Sequence, residues 1–362
     1  MWRTTTCPGP GGAMSTSVHA STSGPPVRSK RMAWDREGKA MAAIMASVLL
    51  ALLAVVVGLF VLVKAADVFV SGAARLSAAL KVPPVIIGAA VIGFGTSAPE
   101  MVVSAIAAGQ GKLDLAVGNV IGSNVANLSL VLGVASLLCL MNVSSGVLRK
   151  EAPLSTAAVL LFAVLVQGGL ERWEGGLLLA TLVAALVWLF TGNAKGQDSE
   201  LLGEIEEFLD EDDPPSARQE SLRAFIGLVG VIVGAQLAVT GASTIADELG
   251  LGEGFIAITL VAVGTSLPEL TTAIAAARKG EDELIVGNLL GSNLFNSLAV
   301  GAIAGLVGPG TLDDERLASV GVGAMVLVAL SAWLFMGTRR TVEKWEGIAL
   351  LGAYAVTLPL LA

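Results

Sequence analysis

The sequence predicts an all-α membrane protein, with about ten transmembrane helices in two inverted five-helix repeats and helices broken where the repeats carry polar residues. Three observations lead there. The 362 residues are 54% hydrophobic and only 14% charged, with a mean hydropathy of +0.78, far from the composition of a water-soluble domain. Apolar runs of about 20 residues, long enough to cross a hydrocarbon core as a helix, recur along the chain. Residues 95–127 align without a gap to residues 264–296 at an offset of 169, with 16 of 33 positions identical.

The elements follow in order. Residues 1–40 are rich in Ser, Thr, Gly and Pro and read as a disordered tail. The apolar run after Met41 is long enough to span a membrane rather than serve as the core of a cleaved signal peptide. The first repeat occupies residues 41–192, with spans near 42–63, 84–109, 114–141, 152–170 and 174–192. Residues 193–221 form a connector; ten acidic side chains within 198–220 supply much of the net charge of −8. Leu201, Leu202, Ile205, Phe208 and Leu209 give it an amphipathic pattern, a solvated helix with an acidic face that lacks the ligand order and central glycine of an EF-hand. The second repeat occupies 222–362, with spans near 222–247, 252–277, 283–307, 317–336 and 344–361. Five spans per half send the second half into the membrane from the opposite side.

Basic residues set the expected orientation. Connections after the odd-numbered spans hold Arg75, Lys81, Arg149, Lys150, Lys195, Arg218, Arg223, Arg278, Lys279, Arg339, Arg340 and Lys344, whereas the opposite loops hold Lys112, Arg172 and Arg316. This bias places the connector in the cytoplasm and the N-terminus outside, against the pull of Arg28, Lys30, Arg31, Arg36 and Lys39 in the tail. Trp173, Trp188, Trp333 and Trp345 lie near span ends as interfacial anchors.

The chemistry sits in the repeat. GTSAPE and GTSLPE place Glu100 and Glu269 inside apolar stretches, where an ionised carboxylate costs at least a few kcal/mol. Pro99 and Pro268 lack an N–H and clash with the carbonyls of Gly95 and Gly264, so each helix should break there. Carbonyls freed at membrane depth need a cavity or an ion to satisfy them. Thr96 and Glu100 are spaced i, i+4, as are Thr265 and Glu269, with Ser97 and Ser266 one turn from the same carboxylates. In GNVIGSNVAN, Asn119, Ser123 and Asn127 share a helical face beside Gly118 and Gly122; Asn288, Ser292, Asn296, Gly287 and Gly291 repeat this.

Taken singly, the glycines read as helix packing, an asparagine as interhelical glue, and a proline as a kink. Lys64 and Asp67 read as interfacial. Two intramembrane carboxylates, each in the same 33-residue pattern with no lysine or arginine at comparable depth, are not explained that way. Carboxylates, hydroxyls and amide oxygens without imidazole or thiolate suit a hard cation such as Ca²⁺ or Na⁺. The one histidine, His19, lies in the tail, and the cysteines are Cys7 in the tail and Cys139 in a span. That inventory argues against a Ser/His hydrolase, a zinc site, redox chemistry and enzymes generally. No nucleic-acid footprint is visible.

These segments resemble the paired alpha repeats of the cation/calcium exchanger superfamily, in the sodium/calcium exchanger branch of microbial type, over essentially residue 42 to the C-terminus. The resemblance implies a secondary antiporter that exchanges Na⁺ for Ca²⁺ by alternating access, with Ca²⁺ efflux driven by Na⁺. Spans 2, 3, 7 and 8 would surround the ions while spans 1 and 6 slide across them. It implies ion ligands at Glu100, Glu269, Thr96, Ser97, Thr265, Ser266, Ser123, Asn127, Ser292 and Asn296, with carbonyl contributions from Gly93 and Ala262. It implies no cofactor, a plasma or bacterial inner membrane as the site, and no protein partner, the chain acting as a monomer in the bilayer. Asn296 departs from microbial relatives that have aspartate there, leaving two carboxylates. Two other readings stay open: H⁺/Ca²⁺ antiport, since either glutamate could titrate, although proton exchangers typically carry a GNA-type string at that place; and a cation channel.

Overall fold

The computed structural model describes residues 27–79, 97–192, 216–279 and 282–361. The chain divides into two units, Met1–Ala46 and Ser47–Ala362. In the first, the described residues are helical from Val27 onward. That corrects the expected tail over residues 27–40, whose Lys, Arg, Met, Ala and Glu content favours helix. Residues 1–26 lie outside the described residues.

Among its described residues, the second unit is helical apart from turns, one two-stranded ladder and two isolated bridges. Among the described residues, seven helices are long and apolar enough to cross a membrane, and eight if one bent pair counts as a span. They match the expected spans closely, with one helix running on to Ala79 rather than ending near residue 63. Of the expected span 84–109, the helix Ala98–Gly109 is described and the rest lies outside. The last expected span is the helix Lys344–Leu361, opened by a polar first turn. The connector is described only from Ser216, with a helix starting at Ala217.

Two helices form the centre. In their most apolar 18-residue stretches, Leu113–Leu138 and Ile285–Val307 are 83% and 78% buried, against 28% for Met41–Ala73 and 33% for Ala217–Leu249. Each central helix widens into a π-helical turn, Ala126–Val131 in one and Asn296–Val300 in the other. These turns correspond at the 169-residue offset, and such turns often mark functional sites.

Within the second unit, residues 47–73 and the helix Ala217–Leu249 pack antiparallel along a seam of small residues. A methyl group added at Gly58 would meet Ala238 N at 2.7 Å and Gly234 O at 2.8 Å, and one at Gly234 would meet Leu62 N at 2.6 Å. Gly72 against Ala224 and Gly241 against Ala51 extend the contact. Small residues let the two backbones approach this closely.

The duplication reaches further than the 33-residue alignment. ERWE and EKWE each open the last helix of a half. Glu171 N donates to Glu174 Oε2 at 2.7 Å, and Trp173 Nε1 to Glu171 Oε2 at 2.8 Å. Glu343 N donates to Glu346 Oε2 at 2.8 Å, and Trp345 Nε1 to Glu343 Oε2 at 2.9 Å. The ladder Met141–Asn142 with Thr341–Val342 has its counterpart in the Leu170–Gly310 bridge. At that bridge Gly169 has φ +120° and abuts the Gly310 carbonyl, so a side chain there has neither the space nor the backbone conformation. Trp173 and Trp345 are exposed near helix ends, as expected of anchors.

Candidate functional site

The GTSLPE motif breaks its helix at the serine. Ser266 has φ −85° and ψ 9° between the helices Ala262–Thr265 and Leu267–Lys279, and the two arms bend by 43°. Ser97 has φ −88° and ψ 3° immediately before the helix Ala98–Gly109, with Pro99 in its first turn. Both repeats thus hold the same backbone conformation at the same motif position. The cause is the proline that follows two residues later, which cannot donate a helical hydrogen bond.

Each of these serines is followed three residues later by a fully buried carboxylate. Glu100 and Glu269 both have 0% exposure and interact electrostatically across the repeat interface. Neither oxygen of Glu100 has a hydrogen-bond partner. The hydroxyls of Thr265 and Ser266, from the other repeat, face that carboxylate without closing a bond of ordinary geometry. Ser292 Oγ donates to Glu269 Oε1 at 3.4 Å. Lys64 and Asp67 are exposed at the helix surface and pair with each other at 4.0 Å. Lys112 pairs with Glu253 at 2.9 Å and also contacts Ser243 Oγ.

The orphaned polar atoms concentrate among the sequence-expected residues. Ser97 Oγ, Ser123 Oγ, Ser266 Oγ, Asn127 Oδ1 and both amide atoms of Asn296 are buried without a partner. A buried polar group left unpaired costs about 1–3 kcal/mol, so buried oxygens in this state, on the same repeat motifs as two buried carboxylates, suit a ligand that accepts electron pairs. Among the described residues no group of three or more His, Cys, Asp or Glu could hold a metal ion. Any cation here would draw on two carboxylates and neutral oxygens, a set that suits Ca²⁺ or Na⁺.

Two expected site residues, Gly93 and Thr96, lie outside the described residues. Ala262 is buried, and its carbonyl accepts from Ser266 N at 3.0 Å and Thr265 Oγ1 at 3.2 Å. The remaining ten described positions, Ala262 included, come from the helix after Ser97, from the helices on either side of Ser266 and from the central helices, with Ser97 and Ser266 themselves at the helix ends.

Sequence reasoning placed Asn119 on a face with Ser123 and Asn127 without its bonds, and passed over Asn124 and Asn293, which also tie this region together. Asn119 Nδ2 donates to the Glu100 carbonyl at 3.3 Å and to Ser104 Oγ at 3.1 Å, while its Oδ1 accepts from Thr265 Oγ1 at 3.3 Å. Asn293 Oδ1 accepts from Asn127 Nδ2 at 3.1 Å, and Asn293 Nδ2 donates to the Asn124 carbonyl at 3.2 Å. Asn124 and Asn293 occupy the same position in GSN of each repeat. That shared identity was the available signal; the cross-helix contact was not.

The sodium/calcium exchanger protein family profile matches residues 50–191 and 222–361. CaxA of Alkalimonas amylolytica is 39% identical over 84% of this chain and 97% of its own length. Inner membrane protein YrbG of Escherichia coli is 36% identical over 86% of this chain and 97% of its own. The sodium/calcium exchanger MaX1 of Methanosarcina acetivorans is 29% identical over 85% and 97%. A solved structure of the sodium-calcium exchanger NCX_Mj, soaked with Na⁺ and Sr²⁺, superposes with a TM-score of 0.57 at 29% identity, covering 86% of this chain and 98% of that one.

Proposed function

The chain belongs to the sodium/calcium exchanger protein family, and on that premise we propose that it is an antiporter coupling Na⁺ to Ca²⁺ movement through one site centred on Glu100 and Glu269. Family membership makes it an integral membrane transporter of cations, not an enzyme. The observation that carries the finer reading is the pair of buried carboxylates at the repeat interface, with Glu100 unpartnered at both oxygens. Around them the ligand set is Ser97, Thr265, Ser266, Ser123, Asn127, Ser292 and Asn296, with Thr96 and the Gly93 and Ala262 carbonyls completing it by analogy between the repeats.

The mechanism follows from charge. Two glutamates balance one Ca²⁺, and Na⁺ ions drawn to the same oxygens exclude it, so occupancy by one ion releases the other. If three Na⁺ replace one Ca²⁺, each cycle carries one net charge, and a membrane potential contributes roughly 2.3 kcal/mol per 100 mV. An inward Na⁺ gradient then drives Ca²⁺ out. Access alternates as the pair Met41–Ala73 and Ala217–Leu249 moves across the central helices, a motion suited to two helices packed on each other along a seam of small residues. The whole ligand set lies on one chain, so one copy suffices. The basic-residue bias puts the N-terminus outside.

H⁺/Ca²⁺ exchange is the second reading, because the same carboxylates could carry protons. Calcium uptake into proteoliposomes with Na⁺ and pH gradients imposed separately distinguishes the two. The proposal expects uptake driven by an outward Na⁺ gradient at symmetric pH. Uptake that follows only the pH gradient would replace Na⁺ with H⁺ as the coupling ion, and current without any counter-ion would indicate a channel.

A further inference from the structure

We propose that Asn119 and Asn293 bind no ion themselves but act as positioning residues, each aiming a ligand oxygen that belongs to the opposite repeat. The proposal rests on the ligand reading above and deepens it. Asn119 lies in the first repeat and holds Thr265 of the second, and Asn293 lies in the second and holds Asn127 of the first.

Thr265 shows why an acceptor is needed. Its hydroxyl has one hydrogen and reaches Asn119 Oδ1 at 3.3 Å and Ala262 O at 3.2 Å, with the Glu100 carboxylate also facing it. Ala262 O and Glu100 belong to the expected ligand set, whereas Asn119 Oδ1 does not. A cation drawing on Thr265 Oγ1 repels a hydrogen that points into the site. Asn119 gives that hydrogen an acceptor elsewhere, which turns the hydroxyl lone pairs toward the ion and releases one lone pair of the Ala262 carbonyl. Asn119 is itself held, since its amide nitrogen donates to the Glu100 carbonyl and to Ser104.

Asn127 presents the same logic in amide form. An amide can face a cation with its oxygen or, flipped, with its NH₂, and only the oxygen coordinates. The bond from Asn127 Nδ2 to Asn293 Oδ1 fixes the orientation, and Asn127 Oδ1 is then the atom left unpartnered and buried. One turn separates Asn119 from Ser123, and another Ser123 from Asn127. Of the three, Asn119 alone has both ends of its polar group bonded to protein.

The test is a double-mutant cycle read as apparent KM for Ca²⁺ and as the Ca²⁺-induced rise in melting temperature of the purified protein. Thr265→Val, which removes a ligand oxygen, and Asn119→Ala, which removes the acceptor that orients it, are each expected to weaken Ca²⁺ by about five- to tenfold. Together they should be no worse than Thr265→Val alone, whereas Asn119→Ala combined with Ser266→Ala should be additive. Additive losses for Asn119 and Thr265, or unchanged Ca²⁺ affinity in Asn119→Ala, would overturn the positioning role. Unchanged affinity in Thr265→Val would instead overturn the ligand reading, and the proposal with it. If Asn119→Ala does not accumulate, Asn293→Ala with Asn127→Ala runs the same cycle on the other repeat, with the same expected non-additivity and the same refutation.

Discussion

Replacing Glu100 with glutamine separates binding from folding, because the two should move in opposite directions. The side chain is fully buried and neither oxygen closes a hydrogen bond of ordinary geometry, although the Thr265 and Ser266 hydroxyls face it, so Glu100→Gln removes charge while leaving volume nearly unchanged and gives up at most those two hydroxyl contacts. Removing one partner from a buried charged set costs about 3–5 kcal/mol, which is two to four orders of magnitude in Ca²⁺ affinity at about 1.4 kcal/mol per tenfold. Without ions, the variant avoids burying an uncompensated carboxylate beside Glu269, and its stability should hold or rise by up to about 3 kcal/mol. That corresponds to a melting temperature unchanged or several degrees higher. The assay is thermal unfolding in detergent with chelator and again with millimolar Ca²⁺, paired with Ca²⁺ uptake in proteoliposomes. Uptake and the Ca²⁺-induced stabilisation should both disappear. A variant that transports within twofold of the parent, or one that melts several degrees lower without ions, would refute the reasoning, the second because it would mean the carboxylate is held by protein donors.

Ser266→Ala removes a buried hydroxyl with no protein partner, so its melting temperature without ions should stay within about 1 °C while the KM for transported ions rises several-fold, the small stability change expected because no bond is lost. Gly234→Ala places a methyl against Leu62 N at 2.6 Å and Gly58 O at 2.8 Å, backbone atoms that cannot rotate away; an overpacking cost of about 1–3 kcal/mol should appear as a lower melting temperature and slower transport, and wild-type behaviour in both would show that the seam is not close-packed. Hydrogen bonds from Arg339 and then Trp345 hold the Glu343 carboxyl below its usual value of 4.5. A lowered folded-state value contributes stability above the unfolded value and loses it as pH falls through the folded one, so the melting difference between the parent and Glu343→Gln should be constant at neutral pH and close below pH 4.5. A difference that grows on acidification would contradict that sign.

The sequence carried the architecture because its signals are local and repeated. Proline two residues past a serine, with glycine before it, is enough to place the break at Ser266, and the structure puts Ser97 in nearly the same conformation. Apolar length fixes helices since lipid leaves the backbone no alternative. The site's inventory was legible for the same reason, as charge and hydroxyls inside apolar runs are conspicuous. What the pattern hides depends on tertiary contact. Nothing local distinguishes Asn119, whose amide is bonded at both ends, from Asn127, whose oxygen is unpartnered. The π turns at Ala126–Val131 and Asn296–Val300 have no compositional signature, and the seam of Gly58 with Gly234 depends on an antiparallel register. The helical residues 27–40 were misjudged by weighing the Ser, Gly and Pro of the preceding residues over their own helix-favouring side chains.

The most direct test is an anomalous-scattering map of crystals soaked in Sr²⁺ as a heavy stand-in for Ca²⁺. The account expects the strongest peak between the carboxylates of Glu100 and Glu269, within coordination distance of both and of hydroxyl oxygens from both repeats. A map whose main peak lies instead in the cleft of about 470 Å³ lined by Asp114, Glu253, Asp313 and Asp314, with none between the two glutamates, would contradict it.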